Sequence, residues 1–143
     1  MTHPEPFSAA DLLEPLALVV RGHYDDLAAA AARHGLSTSQ ARVLIALNEP
    51  MPMRAVAEHL VCDASNATGL IARMEARGLV RRAPSPDDRR SKMASRTPEG
   101  TALASRLRAE MYTVHAALEA LTPQERADLL PLLGRLGDLL SHR

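Results

Sequence analysis

Aromatic side chains are nearly missing from this chain, which has two tyrosines, one phenylalanine and no tryptophan in 143 residues. The core must therefore come from leucine, alanine, valine and methionine. These bury less area each, so a lone domain of this size is marginal unless a second copy shares its apolar faces. The single cysteine, Cys62, excludes an intramolecular disulfide and a cysteine-rich zinc site. No apolar run approaches ~18 residues, and no basic-then-apolar leader opens the sequence. The expectation is one domain over residues 1–143, cytoplasmic, with no membrane partner. No phosphate-cradling glycine loop, zinc-hydrolase signature or nucleophile motif is found, so neither an enzyme nor a cofactor is expected. Six histidines (His3, His23, His34, His59, His115, His142) show no paired ligand spacing, and no metal site is assigned.

Net charge is also absent: 17 Lys/Arg balance 17 Asp/Glu. The distribution is uneven, however. Residues 54–96 hold nine Lys/Arg against five Asp/Glu, a net +4, and the remainder is −4. A basic middle between acidic ends points to a polyanion facing one part of the molecule.

Helix signals are plentiful. After a polar, proline-rich start over residues 1–7, Ser8 and Asp11 open an amphipathic helix, with Pro15 near its start and Gly35 near its end. Ser37 and Gln40 form a capping box for a second helix, which stops near Pro50. Pro52 stands at the first position of a third helix. A fourth starts at Asp63 or Ser65, buries Ala67, Leu70, Ile71 and Met74, and is terminated by Gly78. A basic hairpin follows, whose turn contains Pro84, Pro86, Asp87 and Asp88. Thr97-Pro98 opens a fifth helix running to about Leu118. Thr122-Pro123-Gln124-Glu125 opens a sixth, in which Pro131 is expected to introduce a kink. Helices three and four are joined only by Val61-Cys62-Asp63, which suits a helix-turn-helix. The terminal helices carry more leucine than a small core absorbs, which suggests a shared dimer core.

The fourth helix opens with Ser65, Asn66 and Thr68. The first turns of a helix laid in the major groove lie closest to the bases, and asparagine can bond adenine with both ends of its amide. By residue type alone, a capping role for Asp63 and Ser65 is the favoured reading. The arginine-rich hairpin beyond favours the groove for Asn66 and Thr68.

Three stretches carry a family resemblance. They are Leu36 to Leu44 (LSTSQARVL), Cys62 to Val80 (CDASNATGLIARMEARGLV), and Asp88-Arg89-Arg90 followed by Thr97-Pro98-Glu99-Gly100. In order and spacing they resemble the multiple-antibiotic-resistance regulator (MarR) family of bacterial winged-helix transcription factors, from about residue 10 to residue 140. The resemblance implies a mainly α fold with a small β-hairpin wing. Residues 36–97 would form a winged helix-turn-helix DNA-binding lobe, and 8–35 and 98–143 the dimerisation helices. It implies a homodimer on a palindromic operator in double-stranded DNA, acting as a repressor and released by a small phenolic or lipophilic effector.

Carried over by position, Ser65, Asn66 and Thr68 would face base edges or nearby phosphates, and Arg73 would reach the backbone. Arg90 would be the wing arginine, with Asp88 fixing its side chain. Arg89 and Lys92 join this DNA-binding set. His23, Tyr24, Met111, Tyr112 and His115 would line an effector pocket between dimer helices and DNA-reading lobe. Ordinary packing explains those five equally well. Three positions depart from the family pattern: Arg96 replaces an apolar strand residue, Gly69 replaces a longer polar side chain in some members, and Pro131 lies within the last helix. Cys62 is read as a small apolar filler. A winged-helix module that binds protein and not DNA is the alternative function.

Overall fold

The computed structural model describes residues 7–60 and 64–142, with the side chains of 64 and 65 excepted. His3, Cys62 and Asp63 lie outside the described residues, as do most of the polar start and the link between the third and fourth helices.

The chain begins with α1 (Ala9–Arg33), where the Ser8 N–H donates to Asp11 Oδ2 at 2.8 Å. Just beyond its end at Arg33, Gly35 takes a φ of 63°, a left-handed conformation that glycine adopts freely. The capping box of Ser37 and Gln40 starts α2 (Thr38–Ala46). A short strand, β1 (Met51–Pro52), leads into α3 (Met53–Leu60), and α4 (Ala64–Ala76) follows. Gly78, at φ 70°, turns the chain into β2 (Val80–Pro84), which pairs antiparallel with β3 (Lys92–Arg96). Three helices complete the chain: α5 (Pro98–Glu110), α6 (Tyr112–Ala120) and α7 (Pro123–Ser141).

Three details differ from the sequence expectations. The hairpin belongs to a three-stranded sheet of order β1-β3-β2, in which Met51 pairs with Ala94 and Pro52 with Met93. Pro52 is thus a strand residue. Pro84 ends β2 opposite Lys92, an edge position where its missing N–H is tolerated. The expected fifth helix is two helices, broken at Met111 (φ −89°, ψ 63°). There Asp26 of α1 accepts the N–H groups of Thr113 (2.9 Å) and Val114 (3.3 Å), satisfying orphan donors at the start of α6. Helix α7 is continuous from Pro123 to Ser141, with Pro131 inside it.

One core joins α1, α2, α3, α4, the sheet and α5. Its fully buried side chains include Leu27, Val43, Leu44, Val56, Ile71, Met74 and Leu107. Helices α6 and α7 contribute no fully buried residue. Leu12, Leu16, Val19, Leu130, Leu133 and Leu140 all stand exposed on the terminal helices, Leu130 at 74%. Apolar surface of that extent marks an interaction face.

Candidate nucleic-acid interface

The first turns of α4 present Asn66 and Thr68 to solvent. Both belong to the DNA-contact set expected from the sequence, as does Ser65, whose side chain is outside the described atoms. Buried Ala67, Leu70, Ile71 and Met74 hold the opposite side of the helix to the core. Asn66 and Arg73, with Ser39, Leu60 and Leu70, line a cleft of about 190 Å³ between the start of α2, the end of α3 and α4. A Cβ added at Gly69 would stand 3.5 Å from Arg73 Nη1. The guanidinium therefore lies over the bare glycine on the exposed side of α4, where a longer side chain would compete for the same space. Ser39 was not singled out from the sequence; its proximity to α4 depends on the packing of two helices.

The far end of α4 is held by charge. Glu75 Oε1 accepts from Arg82 Nε at 2.7 Å, tying the helix to β2. Arg77 donates to the carbonyls of Gly35 (2.8 Å) and His34 (3.0 Å), anchoring α4 to the α1–α2 turn. Neither contact was foreseen, because both depend on chain reversals that place distant residues together. The pair Arg82–Glu75 also removes Arg82 from the free cations of the wing.

Beyond β2 the wing tip carries Asp88, Arg89 and Arg90, and Lys92 opens β3; all four are exposed. Asp88 was expected to fix the Arg90 side chain. Instead Asp88 Oδ1 accepts the backbone N–H of Arg90 at 3.0 Å, and the Ser91 N–H donates to the Asp88 carbonyl at 3.0 Å. Asp88 therefore shapes the turn and leaves the Arg90 guanidinium to solvent. A short polar side chain bonding the backbone two residues on is an Asx turn.

The five effector-pocket residues sit on α1 and around the α5–α6 break. His23 and Tyr24 are exposed and meet edge to face, ring centres 6.1 Å apart. Met111 packs partly against the core, Tyr112 is exposed, and His115 lies 3.7 Å from Glu119. None of the five lines the α4 cleft or the larger cleft described below. Nearby, His34 Nε2 and Arg33 Nη1 meet the carboxylate of Glu110 at 2.9 and 3.1 Å. The hydrogen bond from His34 leads in holding the Glu110 carboxyl below the usual carboxylate range, with Arg33 assisting.

Among the described residues, no group of three or more His, Cys, Asp or Glu is arranged to hold a metal ion. No described helix is long and apolar enough to cross a membrane.

A helix pair followed by a two-stranded wing, flanked by long terminal helices, defines a winged helix-turn-helix protein. The MarR family pattern matches residues 34–91. Transcriptional activatory protein BadR of Rhodopseudomonas palustris is 40% identical over 76 residues, which are 50% of this chain and 43% of that protein. The chain thus matches less than half the length of this relative. A MarR-family regulator from Silicibacter pomeroyi has a solved structure with 26% identity and a TM-score of 0.75, covering 91% of this chain and 94% of the other. BpsR of Bordetella bronchiseptica, whose structure concerns regulation of DNA binding by 6-hydroxynicotinic acid, shares the fold at 24% identity and a TM-score of 0.66, over 94% of this chain and 99% of the other. Over residues 34–91 the chain matches the MarR family pattern, and over 91% of its length it shares the winged-helix fold of a solved MarR-family regulator.

Proposed function

We propose that the protein is a cytoplasmic, homodimeric transcription regulator that represses by occupying a palindromic DNA operator and is released by a small phenolic or lipophilic effector. One observation carries this reading: Asn66, Thr68 and Arg73 on α4 and Arg89, Arg90 and Lys92 on the wing are all exposed, on two elements tied together by the Arg82–Glu75 pair. In the major groove, α4 would read base edges, while the wing cations reach phosphates or the minor groove. Residues 36–97 form the reading lobe, and 8–35 with 98–143 supply the dimer helices. The exposed leucines on α1 and α7 support a two-fold contact that places two reading helices on successive turns of one duplex. The regulation of BpsR by a hydroxylated aromatic acid supports an effector of that type here. The pocket is assigned to His23, Tyr24, Met111, Tyr112 and His115, completed by the second copy.

Selection of bound sequences from random duplexes, with a salt titration on the winner, tests the reading. Affinity that falls steeply with salt and an enriched inverted repeat are expected. A chain that ignores duplexes in dilute buffer is instead a protein-binding winged helix. A promoter–reporter assay reads the direction of control: deletion of the gene raises output under repression and lowers it under activation, the role in BadR's name.

A further inference from the structure

On the wing, away from the α4 cleft, a second cleft of about 340 Å³ opens between the α2–β1 connection and the base of the wing sheet. Pro50 forms the apolar wall, above Leu47, which is buried in the core; Asn48 and Ser95 bring polar groups, and Arg81 and Arg96 bring charge. Arg96 ends β3 and is half-buried, unlike the wing-tip arginines. Among the described residues its guanidinium has no hydrogen bond and no ion pair. Burial, with the neighbouring positive charge of Arg108, shifts its pKa down from the ordinary arginine value. Arg108 cannot serve it as a partner and is itself engaged, donating to the Ile45 carbonyl at 3.1 Å. Glu49 borders the same cleft yet makes no ion pair with either arginine.

A cation taken partly out of water, beside a second cation, is a standing cost unless an anion meets it. Nothing in the fold of the described chain supplies that anion. We propose that this cleft binds a small monocarboxylate with an apolar body. The carboxylate pairs with Arg96 through two parallel N–H bonds, the geometry a guanidinium favours. Arg81 adds charge at the mouth, and the apolar body lies on Pro50. The volume lies at the lower end for small-molecule pockets, ~300–1,000 Å³. Glu49 at the rim selects against a dianion, and the apolar wall selects against inorganic phosphate. None of the five residues of the proposed dimer-interface pocket is involved, so this is a separate site.

Its position gives occupancy a route to DNA contacts, a consequence that rests on the regulator reading. Arg96 shares β3 with Lys92, and the next residue, Thr97, bonds the Gly78 carbonyl just beyond α4. An anion drawing Arg96 into the cleft acts on the base of the wing.

The test is a titration of the full-length protein followed by backbone amide NMR, with hexanoate as probe and hexanamide and inorganic phosphate as controls. Hexanoate at about 10 mM would saturate a site of ~1 mM Kd. Saturable shifts centred on Asn48, Ser95 and Arg96 are expected, with hexanamide and phosphate at least about tenfold weaker. Arg96→Met, and independently Arg81→Gln, should lower hexanoate affinity by about tenfold or more while the remaining amide spectrum stays folded. The proposal is overturned by absence of saturable shifts at the cleft, by phosphate binding as tightly as hexanoate, or by undiminished affinity in folded Arg96→Met. Failure of duplex binding with hexanoate still bound would overturn the regulator reading and leave this site standing. The reverse pattern would remove the site alone.

Discussion

The Thr97 hydroxyl donates to the Gly78 carbonyl at 2.6 Å while accepting the Gly100 N–H at 3.1 Å. One side chain thus caps α5 and closes the loop between the end of α4 and the end of the wing. The Thr97 N–H adds a third link, to the Leu79 carbonyl at 3.1 Å. This explains Thr-Pro-x-Gly in physical terms. Thr97 caps, Pro98 occupies a first-turn position that needs no N–H, and Gly100 passes against the Leu79 backbone.

Gly100→Ala tests that close passage. The added Cβ would lie 1.9 Å from the Leu79 carbonyl oxygen, with Leu44 also in contact. Since the obstacle is backbone, the start of α5 or the β2 entry must move. The expected loss is about 1–3 kcal/mol or more, read as a lowered midpoint in thermal or urea unfolding. An unchanged midpoint would show that α5 slides at no cost.

Arg90→Ala should weaken duplex binding without altering the unfolding midpoint, because the guanidinium is exposed and Asp88 bonds only the backbone. If Arg90 meets one phosphate, the slope of log affinity against log salt drops by about one unit. Equal slopes for the two proteins would place the wing tip off the DNA.

Asn66→Ala should reduce discrimination between operator and random duplex by ~1–3 kcal/mol while leaving non-specific affinity nearly intact. Competition binding measures both quantities. Equal losses on both would make Asn66 a backbone contact.

Leu133→Asp combined with Leu136→Asp should convert a dimer to monomers in sedimentation, since each leucine is exposed on α7 of the single chain. Truncation before Pro123 should leave chains that aggregate or fail to fold. A truncated chain that stays folded and single would argue against the shared apolar face.

Acid should loosen the joints between α1 and the α5–α6 region. The Thr113 hydrogen bonds lead in lowering the Asp26 pKa, and the His34 hydrogen bond leads in lowering that of Glu110. A carboxyl with a depressed folded-state pKa contributes stability above its unfolded value, and that contribution is lost as pH falls through the folded value. The loss should therefore begin near pH 4, the ordinary carboxylate range, and continue below it. Asp26→Asn and Glu110→Gln should each flatten the acid limb of a midpoint-versus-pH curve; a curve superimposable on that of the unaltered protein would assign the acid sensitivity elsewhere.

The helix starts were legible because capping is local chemistry: Ser8, Ser37, Thr97 and Thr122 each act within three residues. Gly35 and Gly78 were legible for the same reason. The two-residue β1 was not, since Met51 and Pro52 are strand only by pairing with Ala94 and Met93, some forty residues on. The break at Met111 was hidden too. Methionine is a good helix former, and the groups that receive the break belong to Asp26, far back in the chain. Within the candidate nucleic-acid face, the exposure of Asn66, Thr68, Arg73, Arg89, Arg90 and Lys92 agrees with their sequence reading, but their arrangement was not readable. The turn-shaping bond of Asp88, the Arg73 guanidinium over Gly69 and the diversion of Arg82 to Glu75 all depend on three-dimensional neighbours.

Arg77 gives the molecule a stiff crank. Its guanidinium grips two carbonyls in the bend that joins the first two helices, so whatever tilts the long opening helix swings the tail of the reading helix with it. Under the regulator reading, a molecule wedged near the bend at one end of α1 would be felt at the DNA-facing side of α4 through this grip.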